Sequence, residues 1–180
     1  MTRPAVQIAV VADAAPLRTR LSSAPGSAAV AARLADAAVA DTLHAAVATP
    51  ATVITGCRWP GRRRPGLVLR TETPQVTPAL LVQAMDLAGR YDAVLGPTSG
   101  GGWWVFGLRD SRSADRLGPV PDSFAELGLA ALRAGLRIAM LPELRSLESP
   151  ADVPAVARDC APDSNFAVGA ARLARVPADR

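Results

Sequence analysis

Charged side chains stand in loops of this sequence where they could handle a phosphorylated ligand. Glu72 follows a short apolar segment and precedes a helix start, where its carboxylate could hold a divalent cation bound to phosphate. Glu148 directly precedes a Ser-Pro pair and could lie at the same site, although the helix dipole also favours a charge there. Arg18 and Arg20, with Thr19 between them, could clamp a phosphate because their forked donors match its oxygens. All of these groups could equally be solvated loop residues.

Three consecutive glycines, Gly100 to Gly102, precede a bulky segment that begins with Trp103 and Trp104. Without side chains, the backbone of this loop can approach a ligand closely, although the glycines could also form a simple turn. No helical pattern follows them, so the run matches neither the dinucleotide-binding fingerprint nor the P-loop. Adjacent residues of a strand point to opposite faces, so at most one tryptophan is expected to face a site and the other to be core.

Alternating strand and helix patterns must position these loops. Apolar, β-branched segments predict strands, and a hydroxyl residue before proline, as at Thr77-Pro78 and Ser149-Pro150, predicts a helix start. The segment with Pro16 and Pro25 is predicted as a loop, and the tail beyond Pro162 shows no periodicity. The alternation predicts an α/β sandwich with a mainly parallel sheet, in which ligands bind outside the carboxyl ends of strands. The predicted strands cover residues 5–12, 51–55, 66–70, 91–97, 102–109 and 137–141, and the predicted helices cover 27–47, 78–89, 123–135 and 151–158.

The composition excludes several classes of protein. The chain has 180 residues, of which 49% are hydrophobic and 20% charged, which fits one compact domain and excludes a disordered chain. All twenty basic residues are arginines, so no lysine can form a Schiff base or serve a P-loop. The single histidine, His44, argues against a serine or cysteine hydrolase. Cys57 and Cys160 lack metal-ligand spacing and are expected to be reduced thiols.

No apolar stretch is long enough to predict a transmembrane helix, and a cytoplasmic location is expected. Arg62, Arg63 and Arg64 form a basic run beside Trp59, which could contact nucleic acid or an anionic partner. A solvated loop is favoured, because no recognised nucleic-acid motif surrounds the run. No nucleic-acid partner is therefore expected, and nothing in the sequence identifies a protein partner.

Five short segments, taken in order along the chain, match the motifs of a known family. They are Arg18–Leu21, Asp41–Leu43, Arg70–Thr77, Leu95–Trp104 and Ser146–Asp152. With them the chain resembles the small bacterial glycosyltransferase-A-like family that carries domain of unknown function 2064, from about Val6 to Ala161. The resemblance implies a three-layer α/β sandwich of the nucleotide-diphospho-sugar transferase type. It also implies a single domain over residues 1–180, with a core of about 5–160 and a tail of 161–180.

The chain departs from the family pattern at the positions that matter for chemistry. Glu72 stands where the family has the aspartate that resembles the metal and sugar-nucleotide carboxylate of this fold. Gly100 replaces the aspartate of an Asp-Gly-Gly motif, and Ser146 and Glu148 replace the two aspartates of Asp-Val-Asp. Arg18 replaces a lysine in a shortened first loop. The resemblance implies Mg²⁺ or Mn²⁺, and these replacements weaken that expectation and imply an eroded metal and diphosphate site.

The resemblance implies a nucleotide-sugar-dependent glycosyltransferase whose ligand is a nucleotide or nucleotide sugar. Two alternatives remain open: a catalytically silent homologue that binds a ligand or a partner protein, and a nucleotidyltransferase on the same fold, which the shortened first loop disfavours. In the transferase reading, Glu72 and Glu148 are the candidate catalytic residues, and Glu72 is also the candidate metal ligand. The candidate substrate-binding residues are Arg18, Thr19, Arg20, Pro97, Gly100, Gly101, Gly102, Trp103 and Trp104.

Overall fold

The computed structural model describes residues 6–22, 27–56 and 64–174. Cys57, Trp59, Arg62 and Arg63, for which the sequence predicts a reduced thiol and a solvated basic loop, lie outside these residues. Among the helices of the described ranges, none is long and apolar enough to cross a membrane.

Six strands form one sheet within the described residues, and all six predicted strands are present in shortened form. Their order across the sheet is β2-β1-β3-β5-β4-β6, and β5 alone among them runs antiparallel to its neighbours, β3 and β4. Because only a short loop joins β4 to β5, the chain reverses there and cannot make a parallel crossover. The mainly parallel sheet is therefore confirmed. The strands are β1 (Gln7–Val10), β2 (Thr52–Thr55), β3 (Gly66–Leu69), β4 (Ala93–Pro97), β5 (Trp103–Leu108) and β6 (Ile138–Met140).

Helices cover both faces of the sheet, which gives the three layers. On one face Leu81, Ala84 and Ala88 of α3 pack with Ile8 and Leu67 of the sheet. On the other face α5 packs against β4 and β5 through its buried residues. A third cluster joins α1, α2, α6 and α7 to one another. The helices are α1 (Ala15–Leu21), α2 (Ala28–Val47), α3 (Pro78–Ala88), α4 (Ala114–Leu117), α5 (Phe124–Arg133), α6 (Val153–Asp159) and α7 (Asn165–Ala174).

The segment predicted as a loop around Pro16 forms a helix, α1. Proline is tolerated in the first turn, where its missing N–H group would have no partner in the helix. Leu17 and Leu21 are four residues apart and therefore share one face, which is buried against α2, α6 and α7. This tertiary contact explains a helix that the local proline pattern does not predict.

The segment predicted as an irregular tail also forms a helix, α7. Asp41 of α2 accepts hydrogen bonds from the backbone N–H groups of Asn165 and Phe166, at 3.0 and 2.8 Å, and from the Asn165 amide at 2.7 Å. Phe166 is fully buried beside α2. The N-terminus of α7 is thus satisfied by Asp41, which is remote in sequence, and by a local cap, Ser164, whose hydroxyl accepts from the N–H of Ala167 at 3.1 Å.

Candidate functional site

An open cavity of about 410 Å³ lies at the edge of the sheet where β3 ends and β5 begins. This is the carboxyl edge of the parallel strands, where the α/β pattern predicts ligand binding. Eight of the predicted site residues border the cavity: Arg20, Glu72, Gly100, Gly101, Gly102, Trp103, Trp104 and Glu148.

Two loops place Glu72 and Glu148 side by side. The backbone N–H of Leu147 donates to the carbonyl oxygen of Glu72 at 2.9 Å, which ties the loop after β6 to the loop after β3. The side-chain amide of Gln75 donates to the carbonyl oxygen of Arg145 at 2.6 Å and adds a second tie. The Glu72 side chain is 14% exposed and that of Glu148 is 45% exposed, so Glu148 is the more accessible carboxylate.

Arg20 joins the two glutamates. Its Nη1 atom lies 3.3 Å from Oε2 of Glu148 and 3.5 Å from Oε1 of Glu72. Arg20 lies in the last turn of α1, whose buried face fixes the direction of the side chain. One guanidinium group therefore lies between two carboxylates that come from different loops.

Arg70 is a second guanidinium group at the cavity and was not among the predicted site residues. Its Nη2 and Nε atoms lie 2.9 and 3.3 Å from Oε1 of Glu72, and its Nη1 atom lies 2.9 Å from Oδ1 of Asp122. Its guanidinium carbon lies 5.4 Å from the ring centroid of Trp103, a cation–π distance. Burial favours the neutral form of Arg70, but attraction to Glu72 and Asp122 outweighs it and raises the pKa above its ordinary value. Arg70 therefore carries a positive charge at the cavity at every physiological pH.

The glycine run is shaped by its neighbours. A Cβ atom at Gly100 would lie 2.6 Å from Oε1 of Glu148 and 2.8 Å from Oγ of Ser146, so a side chain there would make these groups shift. Gly101 adopts φ = +80°, in the left-handed region that favours glycine, and its N–H donates to Thr98 in a tight turn. The run thus provides both a turn and a close approach by Glu148.

The two tryptophans lie on opposite faces of β5, as predicted. Trp103 packs with Phe106 on one face and donates its indole N–H to the carbonyl oxygen of Pro121 at 2.9 Å. Trp104 packs into the cluster of the other face and donates to the carbonyl oxygen of Pro142 at 3.0 Å. Both tryptophans border the cavity at the end of β5, but Trp104 is 1% exposed and belongs to the core.

Arg18 and Thr19 are not brought to the cavity, although the sequence groups them with Arg20. In a helix, residues two positions apart point about 200° apart, so Arg18 and Arg20 of α1 face opposite ways. Arg18 instead pairs with Asp36 of α2 at 2.6 Å, and the Thr19 hydroxyl donates to the carbonyl oxygen of Ala15. Arg20 and Arg70, rather than Arg18 and Arg20, are therefore the two arginines that border the cavity.

Pro97 and Cys160 also lie away from the lining of this cavity. Pro97 ends β4 and accepts a hydrogen bond from the N–H of Leu144 at 3.1 Å, which is a structural contact.

Burial raises the pKa of the Cys160 thiol to about 12, with the Asp41 charge adding to the effect. The thiol is therefore protonated and is a poor nucleophile.

Two buried hydroxyl groups at the cavity were missed by the sequence analysis as site residues. Thr73 and Ser146 are 1% and 2% exposed, and neither hydroxyl has a hydrogen-bond partner among the described residues. Buried polar groups are nearly always paired, so these two oxygens, which are shielded from solvent, are exceptions beside the cavity. Asp122 was also missed, because its contact with Arg70 joins positions that are distant in sequence.

The structure resembles several solved structures. A protein from Desulfovibrio desulfuricans G20, described as a "putative nucleotide-diphospho-sugar transferase", matches with a TM-score of 0.74 and 16% identity over 95% of each chain. Rv0371c from Mycobacterium tuberculosis H37Rv matches with a TM-score of 0.48 and 11% identity over 87% of this chain and 98% of that one. The manganese complex of the same protein matches with a TM-score of 0.44 and 15% identity over 86% of this chain and 98% of that one. At these identities the first match shows the fold alone, and the other two are too distant to add to it.

The sequence itself matches one family model. No curated protein matches the chain. Residues 8–124, which are more than half of the chain and include the loops of Arg20, Glu72 and Gly100, match the model described as "Uncharacterized protein conserved in bacteria (DUF2064)". The segment of Glu148 lies beyond this match. The chain therefore belongs to the DUF2064 family, and it has the α/β fold of the nucleotide-diphospho-sugar transferases.

Proposed function

We propose that the cavity binds a nucleoside-diphospho-sugar and that the protein transfers the sugar to an acceptor. The observation that carries this proposal is the convergence of Arg20, Arg70, Glu72 and Glu148 at the carboxyl edge of the sheet. Guanidinium groups there can neutralise the negative charge that develops on a departing diphosphate. The fold of the family supports the same reading, although fold alone does not decide function.

The two glutamates take different parts in this mechanism. Glu148 is the more exposed carboxylate and would accept the proton of the acceptor hydroxyl as its oxygen attacks the sugar carbon. The bond between that carbon and the diphosphate oxygen breaks, and the nucleoside diphosphate leaves held by Arg20 and Arg70. Glu72 is nearly buried and contacts both arginines, so it positions them.

A test of the mechanism compares Glu148→Gln with Glu143→Gln, a nearby exposed glutamate that does not line the cavity. Sugar transfer is measured with uridine, guanosine, cytidine and adenosine diphospho-sugars and a panel of hydroxyl acceptors. We expect Glu148→Gln to lower kcat by 10²-fold or more, in the range typical of a lost general base, and Glu143→Gln to leave it unchanged. Equal kcat values for Glu148→Gln and wild type would remove Glu148 from the mechanism.

A catalytically silent ligand-binding homologue is the second candidate. The observation that favours it is that Arg20 pairs with both Glu72 and Glu148, so neither carboxylate is held apart from a cation. Binding of a nucleoside-diphospho-sugar without turnover on any acceptor would select this reading. Nucleoside triphosphates added to the same assay test the nucleotidyltransferase alternative. A cytoplasmic location and the lack of a nucleic-acid partner stay predictions.

A further inference from the structure

The residues at the cavity do not fit the divalent cation that the fold family implies. In the described ranges, no group of three or more His, Cys, Asp or Glu side chains is arranged to hold a metal ion. The two carboxylates at the cavity centre, Glu72 and Glu148, are both in contact with Arg20. A divalent cation placed between them would lie against a guanidinium charge, which repels it.

The two arginines supply the charge that such a cation would supply. Arg20 and Arg70 together carry +2, and Glu72 and Glu148 together carry −2, which is the balance of one divalent cation with two carboxylates. Asp122 also pairs with Arg70, but its side chain is 93% exposed, so water screens it. The electrostatic requirement of a diphosphate can therefore be met by side chains alone.

Gly100 allows this arrangement to form. The Oε1 atom of Glu148 would lie 2.6 Å from a Cβ atom at position 100, so any side chain there would displace the carboxylate. With glycine in place, Oε2 of the same carboxylate reaches Arg20 at 3.3 Å. A side chain at position 100 would therefore move the Glu148 carboxylate from the position in which it contacts Arg20.

We propose that Arg20, placed between Glu72 and Glu148, stands in the position of the divalent cation, and that Arg20 and Arg70 bind a diphosphate without metal. This inference rests on the proposed function for the identity of the ligand. A guanidinium group has five N–H donors, and both carboxylate contacts of Arg20 use Nη1, so the group can serve carboxylates and phosphate together.

In the test, the full chain is titrated with inorganic pyrophosphate, once in the presence of EDTA and once in the presence of Mn²⁺. In a separate titration with Mn²⁺ alone, metal binding is followed by electron paramagnetic resonance. We expect wild type to bind pyrophosphate equally in EDTA and Mn²⁺ and to bind no stoichiometric Mn²⁺. Arg20→Ala should weaken pyrophosphate binding in EDTA by at least tenfold and should bind Mn²⁺ between the freed carboxylates. Arg18→Ala, in the same short helix but turned away, should behave as wild type. Three results would overturn the proposal. The first is that wild type binds pyrophosphate tenfold more weakly in EDTA than in Mn²⁺, and the second is that it binds no pyrophosphate in either condition. The third is that wild type and Arg20→Ala bind Mn²⁺ equally.

A second variant keeps the test decisive if Arg20→Ala fails to fold. Glu148→Gln removes a negative charge that competes with phosphate for Arg20, so we expect pyrophosphate to bind several-fold more tightly. If Glu148 were instead a ligand of a required metal, the same variant would weaken binding, which would contradict the proposal. Pyrophosphate binding without metal, together with no binding of any nucleoside-diphospho-sugar, would support this inference while refuting the proposed function.

Discussion

Replacing Arg70 with methionine tests whether the guanidinium network is a structural element of the site. The variant keeps the apolar stem of the side chain but removes its contacts with Glu72, Asp122 and Trp103. The contact with Glu72 joins side chains that are 20% and 14% exposed, so it is the one that stabilises the fold most. Breaking a buried ion pair costs about 3–5 kcal/mol, because the remaining charge is left unpaired.

The cost here is smaller than that range because Glu72 stays partly hydrated and keeps Arg20 at 3.5 Å. We therefore expect Arg70→Met to lower the free energy of unfolding by about 2 kcal/mol, and Tm by about 4–8 °C for a chain of this length. Asp122→Asn, which removes a highly exposed partner of the same arginine, should lower the free energy of unfolding by less than about 1 kcal/mol.

The assay is urea unfolding followed by far-UV circular dichroism, since tryptophan fluorescence would also report the loss of the charge beside Trp103. Arg112→Met is the matched control, because Arg112 pairs closely with Asp110 at the exposed surface and should leave the midpoint unchanged. If Arg70→Met and Asp122→Asn destabilised the fold equally, or Arg70→Met did not destabilise it, the partly buried pair of Arg70 and Glu72 would not be the stabilising contact.

Three further predictions follow from other parts of the fold. Asp41→Ala should lower the free energy of unfolding by about 2–4 kcal/mol, because three hydrogen bonds that start α7 are lost, and proteolysis should then cut within 165–174 first. Arg137 holds the pKa of Asp92 below its ordinary value through hydrogen bonds, so this pair stabilises the protein above the ordinary pKa and stops doing so as the pH falls through the folded pKa. Asp92→Asn should therefore lower Tm at pH 7, and its difference in Tm from wild type should shrink as the pH is lowered. In a Cys57→Ser background, iodoacetamide should modify Cys160 far more slowly at pH 8 than after unfolding in urea, and equal rates would contradict its burial.

Much of the fold follows from local sequence signals. The buried strands are continuous apolar segments, and Thr77 caps α3 by accepting from the N–H of Leu80 at 3.2 Å, as its position before Pro78 predicts. Ser149 and Asp152 form a capping box before α6, also as the Ser-Pro signature indicates. These features depend on residues within one turn of each other, so the sequence reveals them.

The elements that the sequence did not reveal depend on distant contacts. Helix α1 is stabilised by Leu17 and Leu21 against neighbouring helices, and α7 by the carboxylate of Asp41 in addition to its local cap, Ser164. The grouping of Arg18 with Arg20 fails for the same reason, because it assumes a loop where tertiary packing makes a helix. Predicting this site required knowing the backbone conformation at Arg20.

The composition of the site was partly predictable. Glu72, Glu148 and the glycine run follow from their positions after strands and from the family resemblance, and all of them border the cavity. Arg70 could have been included, since it directly follows β3 and stands two residues before Glu72. Asp122 could not, because only the folded chain brings it to Arg70.

The most direct test of the central claim is a calorimetric titration of wild type, Arg20→Ala and Arg18→Ala with nucleoside-diphospho-sugars in EDTA. We expect saturable one-to-one binding of at least one of these ligands to wild type and Arg18→Ala, and at least tenfold weaker binding to Arg20→Ala. The factor of ten corresponds to one lost charge-assisted interaction of about 1.4 kcal/mol. Absence of binding to wild type, or equal affinity in Arg20→Ala, would contradict the claim that Arg20 binds the diphosphate in this cavity.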